Sequence, residues 1–464
     1  MADAKLWTPR AWIGGRWQDA VLLAVNERGN WSEITAGVDT PTPDATILPG
    51  PVLPGVVNAH SHAFQRAFAG LSERRDSDAD DFWAWRDRMY RVASRITPQQ
   101  LRAVAAQLYV ELLCGGYTQV CEFQYLHHDE TGGEYGDAAT LSWALADAAV
   151  DVGIGLTILP VLYERAGFMQ PALRDDQRRF AATPERVHAL FRTVADARRP
   201  LVNAGVAIHS LRAASHASMV ELMRRIGDGA VPVHIHIAEQ TAEVDDCVES
   251  TGARPIEWLC RKLRPDARWQ LVHATHATPS EIDAVAATGA GIVVCPSTEA
   301  NLGDGLTDLP RWLTTGVPLA LGSDSQVSRS WPAELRWLEY GQRLVRRERN
   351  VAAAPTHGQP ATAARLFDTI VAGDGRSAGL IHWGLVPGAR ADALVLDARS
   401  PGLLGVPPSH ALDALVFATD APQFREVYVR GRRVISEGRH GQEAAISDRF
   451  SEAMDELWGG SNCL

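Results

Sequence analysis

Residues 52–66 read VLPGVVNAHSHAFQR, an apolar run that ends in the pair His60 and His62. Pro54 and Gly55 interrupt this run, which favours a short buried strand over a helix. Side chains two residues apart on a strand point to the same side, so both imidazoles can converge on one metal ion. A pair of exposed loop histidines has the same spacing, and the rest of the chain must decide between the two interpretations.

Length and composition limit the classes of protein to consider. The chain has 464 residues, enough for a barrel of about 250 residues with insertions and a small second domain. Hydrophobic residues make up 46% and charged residues 22% of the chain, which is typical of a globular protein. The formal net charge of -11 argues against nucleic acid or a membrane surface as the partner and favours a small molecule.

Cysteine usage and the opening sequence indicate the compartment. The six cysteines are scattered and form no C-x-x-C pair, so reduced thiols are expected. The opening MADAKLWTPRAWIGGRW has no signal-peptide pattern, and no apolar stretch reaches membrane-spanning length. We therefore predict a cytoplasmic protein that has no membrane partner.

Short apolar runs alternate with helix-like segments along the middle of the chain. The helix-like segments include 98–114, 138–151, 183–197 and 278–288. After the opening strand, the apolar runs are GYTQVCEF, GIGLTILPVLY, VNAGVAIHS, AVPVHIHIAE, WQLVHATH, AGIVVCPST and VPLALGSDS. Eight strands separated mostly by helices imply parallel strands, so we predict an α/β fold with a closed, TIM-like (β/α)₈ barrel.

The two chain ends have a different sequence pattern. WIGGRW near the start and REVYVRGRRVISEG near the end are short apolar pieces with glycine turns, as in small sheets. Because chain termini often lie close together, the two ends are expected to form one domain. We predict a small β-sandwich domain from residues 1–50 and 385–464, with the barrel at 51–384.

Metal-ligand residue types follow several of the predicted strands. His236 lies in the fifth run, and Asp324 follows the eighth. With His60 and His62 they offer three neutral nitrogen donors and one carboxylate, a set that suits Zn²⁺ with a position open for water. Fe²⁺ or another divalent ion is the alternative metal. Zinc lowers the pKa of bound water to about 7, which makes hydroxide available at neutral pH.

Two further residues are placed for proton transfer. Glu239 follows His236 by three residues, and His273 ends the core of the sixth run. A carboxylate and an imidazole next to a hydrolytic metal are suited to general acid–base catalysis. We therefore predict that Glu239 and His273 move protons during the reaction.

Four motifs resemble a known family. PGVVNAHSHAFQRAFAGL, HIHIAEQ, LVHATH and GSDS are similar to the single-metal branch of the amidohydrolase superfamily, which includes adenosine, cytosine and guanine deaminases. Within it, HSHAFQRA, CEFQYLHH and HSLRA resemble the formimidoylglutamate deiminases. This resemblance implies a homodimer that hydrolyses N-formimino-L-glutamate to N-formyl-L-glutamate and ammonia in histidine degradation. It also implies that Asp324 takes a proton from the attacking water.

Such a substrate carries two carboxylates, which call for cationic partners. Arg212, just after the fourth run, offers a planar guanidinium that can hold a carboxylate through two bonds. The resemblance adds Gln65, Tyr125 and His209 to the substrate site. Arg86, in FWAWRDRMY, is a further candidate, although arginines in this segment can also simply cover a helix surface.

One departure and two alternatives remain open. The resemblance leads us to expect a histidine after GSDS, where this chain has Gln326, so a role for that imidazole is in doubt. The same machinery could deaminate a purine, pterin or triazine ring, or the scaffold could serve a noncatalytic binding protein. Arg212, Tyr125 and Gln65 favour a short dicarboxylate over a flat ring.

Overall fold

The computed structural model describes residues 4–73, 82–420 and 424–459. In chain order, the described strands β1 to β18 are Ala4–Ile13, Arg16–Val25, Trp31–Thr35, Ala45–Ile47, Val52–Pro54, Val56–Ser61, Tyr117–Gln124, Gly155–Leu162, Val202–Ala204, Val206–Ser210, Val233–Ile237, Trp269–His273, Gly291–Val294, Leu319–Leu321, Ala393–Leu396, Phe424–Val429, Arg432–Ser436 and Arg439–His440. The described α-helices α1 to α14 are Phe82–Ala93, Pro98–Cys114, Thr140–Val152, Pro184–Asp196, His216–Ile226, Thr241–Thr251, Pro255–Lys262, Pro279–Thr288, Pro296–Leu302, Leu309–Thr315, Trp331–Arg346, Thr362–Ser377, Ala411–Phe417 and Glu443–Trp458. Short 3-10 helices span Ala63–Ala67, Asp175–Phe180, Pro355–His357 and Pro408–His410.

Eight parallel strands close into a barrel. Their order is β10, β11, β12, β13, β14, β6, β7 and β8, and β8 pairs with β10 to complete the ring. Because helices cover the outside of a parallel barrel, its strands are buried on both faces and form continuous apolar runs. All eight residues of β8 are buried, for example. The predicted (β/α)₈ barrel is confirmed.

A second sheet joins the two ends of the chain. Its strands follow the order β18, β17, β16, β15, β5, β1, β2 and β3, with β4 added beside β1. Trp31, Leu23 and Val395 are fully buried in the apolar cluster of this sheet. The expected second sheet from both chain ends is therefore present, and the domain division at residues 50 and 384 stays a prediction.

Two apolar runs that the sequence indicates as single strands each form two. The opening run divides at Gly55 into β5, which belongs to the second sheet, and β6, which belongs to the barrel. A Cβ atom on Gly55 would lie 2.2 Å from Oγ1 of Thr118, so only glycine fits this close approach. The fourth run divides at Gly205 into β9 and β10, both of which pair with β8.

Local signals place the helices that surround the barrel. Helix α2 begins after Thr97, whose hydroxyl accepts a hydrogen bond from the backbone N–H of Gln100. The Gln100 side chain in turn accepts the Thr97 backbone N–H, which completes a capping box. Helix α14 packs against α2, and Trp458 donates its indole N–H to the carbonyl of Ala67.

None of the helices in the described ranges is long and apolar enough to cross a membrane.

Helix α12 packs closely on the barrel, which makes a prediction about Gly373. A Cβ atom on Gly373 would lie 2.3 Å from the backbone oxygen of Leu319 in β14. Gly373→Ala should therefore destabilise the fold by about 1–3 kcal/mol, because a backbone atom cannot move aside without distorting the barrel. Denaturant unfolding of the variant and the parent measures the difference.

Gly341 in α11 provides the matched control. A Cβ atom there would meet only the end of the Leu306 side chain, at 2.6 Å, and Leu306 is 45% exposed and able to turn away. Gly341→Ala also gains up to about 1 kcal/mol of helix propensity and should be close to neutral. An equal loss in the two variants would contradict this account of the helix packing.

Candidate active site

The predicted metal-binding residues lie together at the carboxyl ends of the barrel strands. His60 is in β6 and His62 follows it, His236 is in β11, and Asp324 follows β14. All four side chains are at least nine-tenths buried. Because parallel strands end at the same rim of a barrel, residues far apart in sequence meet there.

The facing atoms of these four residues converge. Oδ1 of Asp324 lies 3.4 Å from Nε2 of His60 and 3.4 Å from Nε2 of His62. Nε2 of His236 lies 2.9 Å from Nε2 of His60. Donors bound tetrahedrally at 2.0–2.1 Å are about 3.3 Å apart. His60, His62 and Asp324 have this spacing, and His236 and His273 form a second group with His60 whose donor atoms all lie within 4.8 Å of one another. Two imidazole nitrogens at 2.9 Å require a shared proton or a cation between them, and the residues therefore fit a metal ion.

Burial and charge give these groups the protonation states that a metal requires. Burial lowers the pKa of His62 to about 3, and the neighbouring His60 adds to the shift. Burial likewise lowers the pKa of His236 well below its ordinary value. For Asp324 burial raises the pKa, but the surrounding imidazoles outweigh it, His60 first through its hydrogen bond, and hold the pKa below its usual range. The set is thus neutral imidazoles beside a carboxylate anion.

Hydrogen bonds outside the cluster orient its members. Nδ1 of His62 lies 3.1 Å from the carbonyl oxygen of Phe123. A carbonyl can only accept, so Nδ1 carries the hydrogen and the bare Nε2 faces Asp324. The ring of Phe123 also packs against the imidazole of His236, with ring centres 4.4 Å apart.

Gln326 connects the two strand ends that carry three of these residues. Its amide group donates to Oγ of Ser61 at 3.0 Å and to the carbonyl of Asp324 at 2.7 Å, and its Oε1 accepts from Ser323 at 2.8 Å. Gln326 is fully buried. The residue that replaces the expected histidine therefore positions the backbone between His60 and His62 relative to Asp324.

This bridge predicts an effect on metal affinity. Gln326→Met keeps the volume but removes the hydrogen bonds, and the metal affinity should fall by about 10–100-fold, as for other residues that orient metal ligands. Competition with a chromophoric chelator measures the affinity.

Gln119→Met is the control for loss of a buried glutamine. Gln119 is also fully buried, and it bonds Thr157 and Arg390 near the other end of the barrel. Its replacement should lower stability but leave metal affinity unchanged. Equal affinities in the parent and Gln326→Met would refute the positioning role.

The two predicted proton-transfer residues lie beside the cluster. Nε2 of His273 is 3.5 Å from Oε1 of Glu239 and 3.8 Å from Oδ2 of Asp324. Burial lowers the pKa of His273, but Glu239 and the other carboxylates outweigh it and raise the pKa to about 10. Burial raises the pKa of Glu239 to about 7. These groups are close enough to titrate as a unit.

A cavity opens from this cluster. The residues predicted to bind substrate all line it: Gln65, Arg86, Tyr125, His209 and Arg212. The Gln65 amide group donates to the Tyr125 hydroxyl at 3.1 Å. Burial opposes the charge on Arg212, but Glu243 leads the groups that raise its pKa, so the guanidinium stays charged. The structure therefore brings the predicted substrate-binding residues together with the metal-binding set.

Some neighbours of the site were not expected from the sequence. Oε1 of Glu299 lies 3.5 Å from Nδ1 of His273, and Tyr163 lines the cavity. Tyr163 directly follows β8, so the strand-end rule that selected the other residues could have found it, whereas Glu299 lies within α9. Tyr90 and Gln177 lie on helical segments outside the barrel strands, where no sequence pattern marked them.

Comparison with known proteins decides the family. A model of the amidohydrolase family matches residues 52–434. The chain belongs to the amidohydrolase family. Members of this family are metal-dependent, in agreement with the donor set described above.

Individual relatives refine the relationship. The chain is 43% identical over 456 residues to a formimidoylglutamate deiminase of Pseudomonas aeruginosa, covering 97% of this chain and 99% of the relative. It is 28% identical to a 5-methylthioadenosine/S-adenosylhomocysteine deaminase of Natronomonas pharaonis, covering 90% and 89%. A crystal structure of an amidohydrolase from Brucella melitensis matches with a TM-score of 0.92 and 39% identity, covering 98% and 99% of the two chains. The predicted resemblance is confirmed.

Proposed function

We propose that this amidohydrolase hydrolyses N-formimino-L-glutamate to N-formyl-L-glutamate and ammonia, as a step of histidine degradation. The observation that carries the proposal is one cavity that joins a metal-binding set to two arginines, Arg86 and Arg212. The similarity to a formimidoylglutamate deiminase over 97% of the chain supports it. A purine, pterin or triazine ring offers no carboxylate for these arginines to bind.

In this proposal Zn²⁺ occupies the site, held by His60, His62, His236 and Asp324. Fe²⁺ or another divalent ion suits the same donors. When bound, such an ion supplies Lewis acidity and makes a water molecule acidic enough to attack at neutral pH. The neutral imidazoles and the anionic carboxylate support this assignment, since metal ligands must be deprotonated.

The chain's own residues move the protons. Asp324 takes a proton as the water oxygen bonds to the formimino carbon and the C=N electron pair moves to the terminal nitrogen. Protonated Glu239 then gives a proton to that nitrogen, and His273 stabilises the developing charge on oxygen. After the second water proton reaches the nitrogen, the bond between carbon and that nitrogen breaks, ammonia leaves and the formyl carbonyl remains. The proton held by Asp324 then passes to Glu239, which restores both groups. The 3.5 Å approach of His273 to Glu239 supports this division of roles.

Substrate recognition rests on charge and fixed hydrogen bonds. Arg212 holds a carboxylate, and Arg86, in α1 on the same cavity, contributes positive charge. Gln65, Tyr125 and His209 orient the formimino group. Oε1 of Gln65 is buried and has no hydrogen-bond partner among the described residues, so it is placed to accept a substrate N–H.

We also propose that the enzyme works in the cytoplasm as a homodimer. Five cysteines within the described ranges are unpaired, which supports a reducing compartment. The homodimer rests on the family resemblance.

A substrate panel tests the proposed activity. The purified metal-loaded protein should release ammonia from N-formimino-L-glutamate and not from adenosine, guanine or cytosine, because only the first substrate pairs with the arginines. Coupled measurement of ammonia over a range of concentrations gives kcat/KM for each compound. Turnover of a ring with none of the formimino compound would overturn the proposal in favour of a ring deaminase, and no turnover at all would favour a binding protein.

A further inference from the structure

Two tyrosines that line the cavity are bridged by a buried amide. Nε2 of Gln177 lies 3.1 Å from the hydroxyl of Tyr90 and 3.0 Å from that of Tyr163. Gln177 is fully buried, and both tyrosines are at least nine-tenths buried and line the cavity. We call this group of three residues the tyrosine recess.

The polarity of these hydrogen bonds follows from a backbone group. The N–H of Arg174 lies 3.1 Å from the other end of the Gln177 amide, and a backbone N–H can only donate. That atom is therefore the oxygen Oε1, and the atom facing the tyrosines is the NH₂ group, which only donates. Each phenol oxygen accepts from Gln177, and a hydrogen bond joins the two phenols, so one phenol hydrogen is left to donate elsewhere. The recess thus offers a hydrogen-bond donor to a ligand.

The surroundings of the recess are cationic. Arg86 and Arg212 line the same cavity, and the guanidinium carbon of Arg86 lies 5.6 Å from the centre of the Tyr90 ring. Burial, together with Tyr90, raises the pKa of Tyr163 well above its ordinary value although Arg212 opposes the shift, so this phenol keeps its proton. A phenol donor beside two guanidinium groups suits an anionic oxygen pair.

Ring contacts place the recess relative to the metal-binding set. The centre of the His209 ring lies 5.1 Å from that of His236 and 4.4 Å from that of Tyr163. The imidazole of His209 therefore lies beside both the metal-binding set and the recess. A ligand whose formimino carbon lies at the metal-binding set can extend past His209 to reach it with a group farther along its chain.

We propose that the tyrosine recess binds the side-chain carboxylate of the substrate, the one farther from the formimino carbon. This inference rests on the proposed function and names the residues that select a dicarboxylate. A ligand without that carboxylate leaves a buried donor unpaired, which is the strongest way for a polar site to reject an analogue. Gln177 is a positioning residue here, since it orients the phenols and does not touch the ligand.

The kinetic test compares Tyr90→Phe and Tyr163→Phe with the parent on two substrates. The substrates are N-formimino-L-glutamate and N-formimino-L-norvaline, which has a methyl group in place of the side-chain carboxylate. Each variant should raise KM for the first by at least about tenfold, as expected for a hydrogen bond to a charged group, with kcat within about twofold. KM for the second should not change. Equal effects on the two substrates, or none on either, would overturn the proposal.

N-formimino-γ-aminobutyrate, which lacks only the α-carboxylate, identifies the carboxylate that is bound. Its KM should rise in the variants as it does for the full substrate. Loss of this effect would assign the recess to the α-carboxylate and contradict the proposal.

Tyr117→Phe is the matched control, because Tyr117 is fully buried at the start of β7 and its hydroxyl has no hydrogen-bond partner among the described residues. It should leave every KM unchanged.

A binding measurement separates this inference from the proposed function. Calorimetry with glutarate and butyrate needs no turnover: glutarate should bind the parent at least about tenfold more tightly than either tyrosine variant, and butyrate should not distinguish them. If the parent releases no ammonia but glutarate binding shows this pattern, only the proposed reaction fails. If glutarate binds all forms equally, the recess fails even where the parent is active.

Discussion

The closure of the barrel between its last strand, β14, and its first, β6, is the constraint on which the site depends. Leu321 pairs with Asn58 across this seam. Beyond the pair, the N–H of Asp324 donates to the carbonyl of His60 at 3.0 Å, and the N–H of His62 donates to the carbonyl of Asp324 at 3.3 Å. The seam brings residues from opposite ends of the barrel sequence within bonding reach of one ion. The spacing of these candidate metal ligands therefore depends on closure of the barrel.

Exclusion of water gives neighbouring groups opposite protonation states. Burial lowers the pKa of His62 to about 3 and raises that of Glu239 to about 7, because in both cases it disfavours the charged form. The result is a neutral nitrogen donor near a carboxyl group that can carry a proton at neutral pH, which general acid catalysis requires. Asp324 remains an anion because the imidazole of His60 stabilises its charge.

The sequence predicted the barrel and the position of its central residues because both depend on local patterns. Each of the short apolar runs in a parallel barrel ends at the same rim, so His236, His273 and Asp324 could be placed together without a structure. The hydrogen-bond partners of Gln326 could not be predicted from the sequence, because its bonds to Ser61 and Ser323 depend on the closure of the seam. The sequence also did not predict that the opening run divides into two strands at Gly55, since this division follows from the close approach of Thr118.

The recess illustrates a second limit of sequence reasoning. Tyr90 and Gln177 come from α1 and from the 3-10 helix at Asp175–Phe180, segments that cover the barrel mouth without a strand-end pattern. Their role follows only from the direction of their hydrogen bonds, which requires the positions of the Arg174 backbone and the Gln177 amide. Loops and helices over a barrel mouth determine which substrate enters, whereas strand ends determine the chemistry.

Metal content measured together with turnover in two variants tests the central claim, that His236 holds the metal and that Glu239 moves a proton without holding it. Glu239→Gln keeps the shape of the side chain but cannot transfer a proton. It should retain the metal-to-protein ratio of the parent while losing at least ~10²-fold in kcat, the lower range for general acid–base catalysis. His236→Ala should instead lose bound metal along with turnover. Parental turnover with normal metal content in Glu239→Gln, or a full metal complement in His236→Ala, would contradict the account.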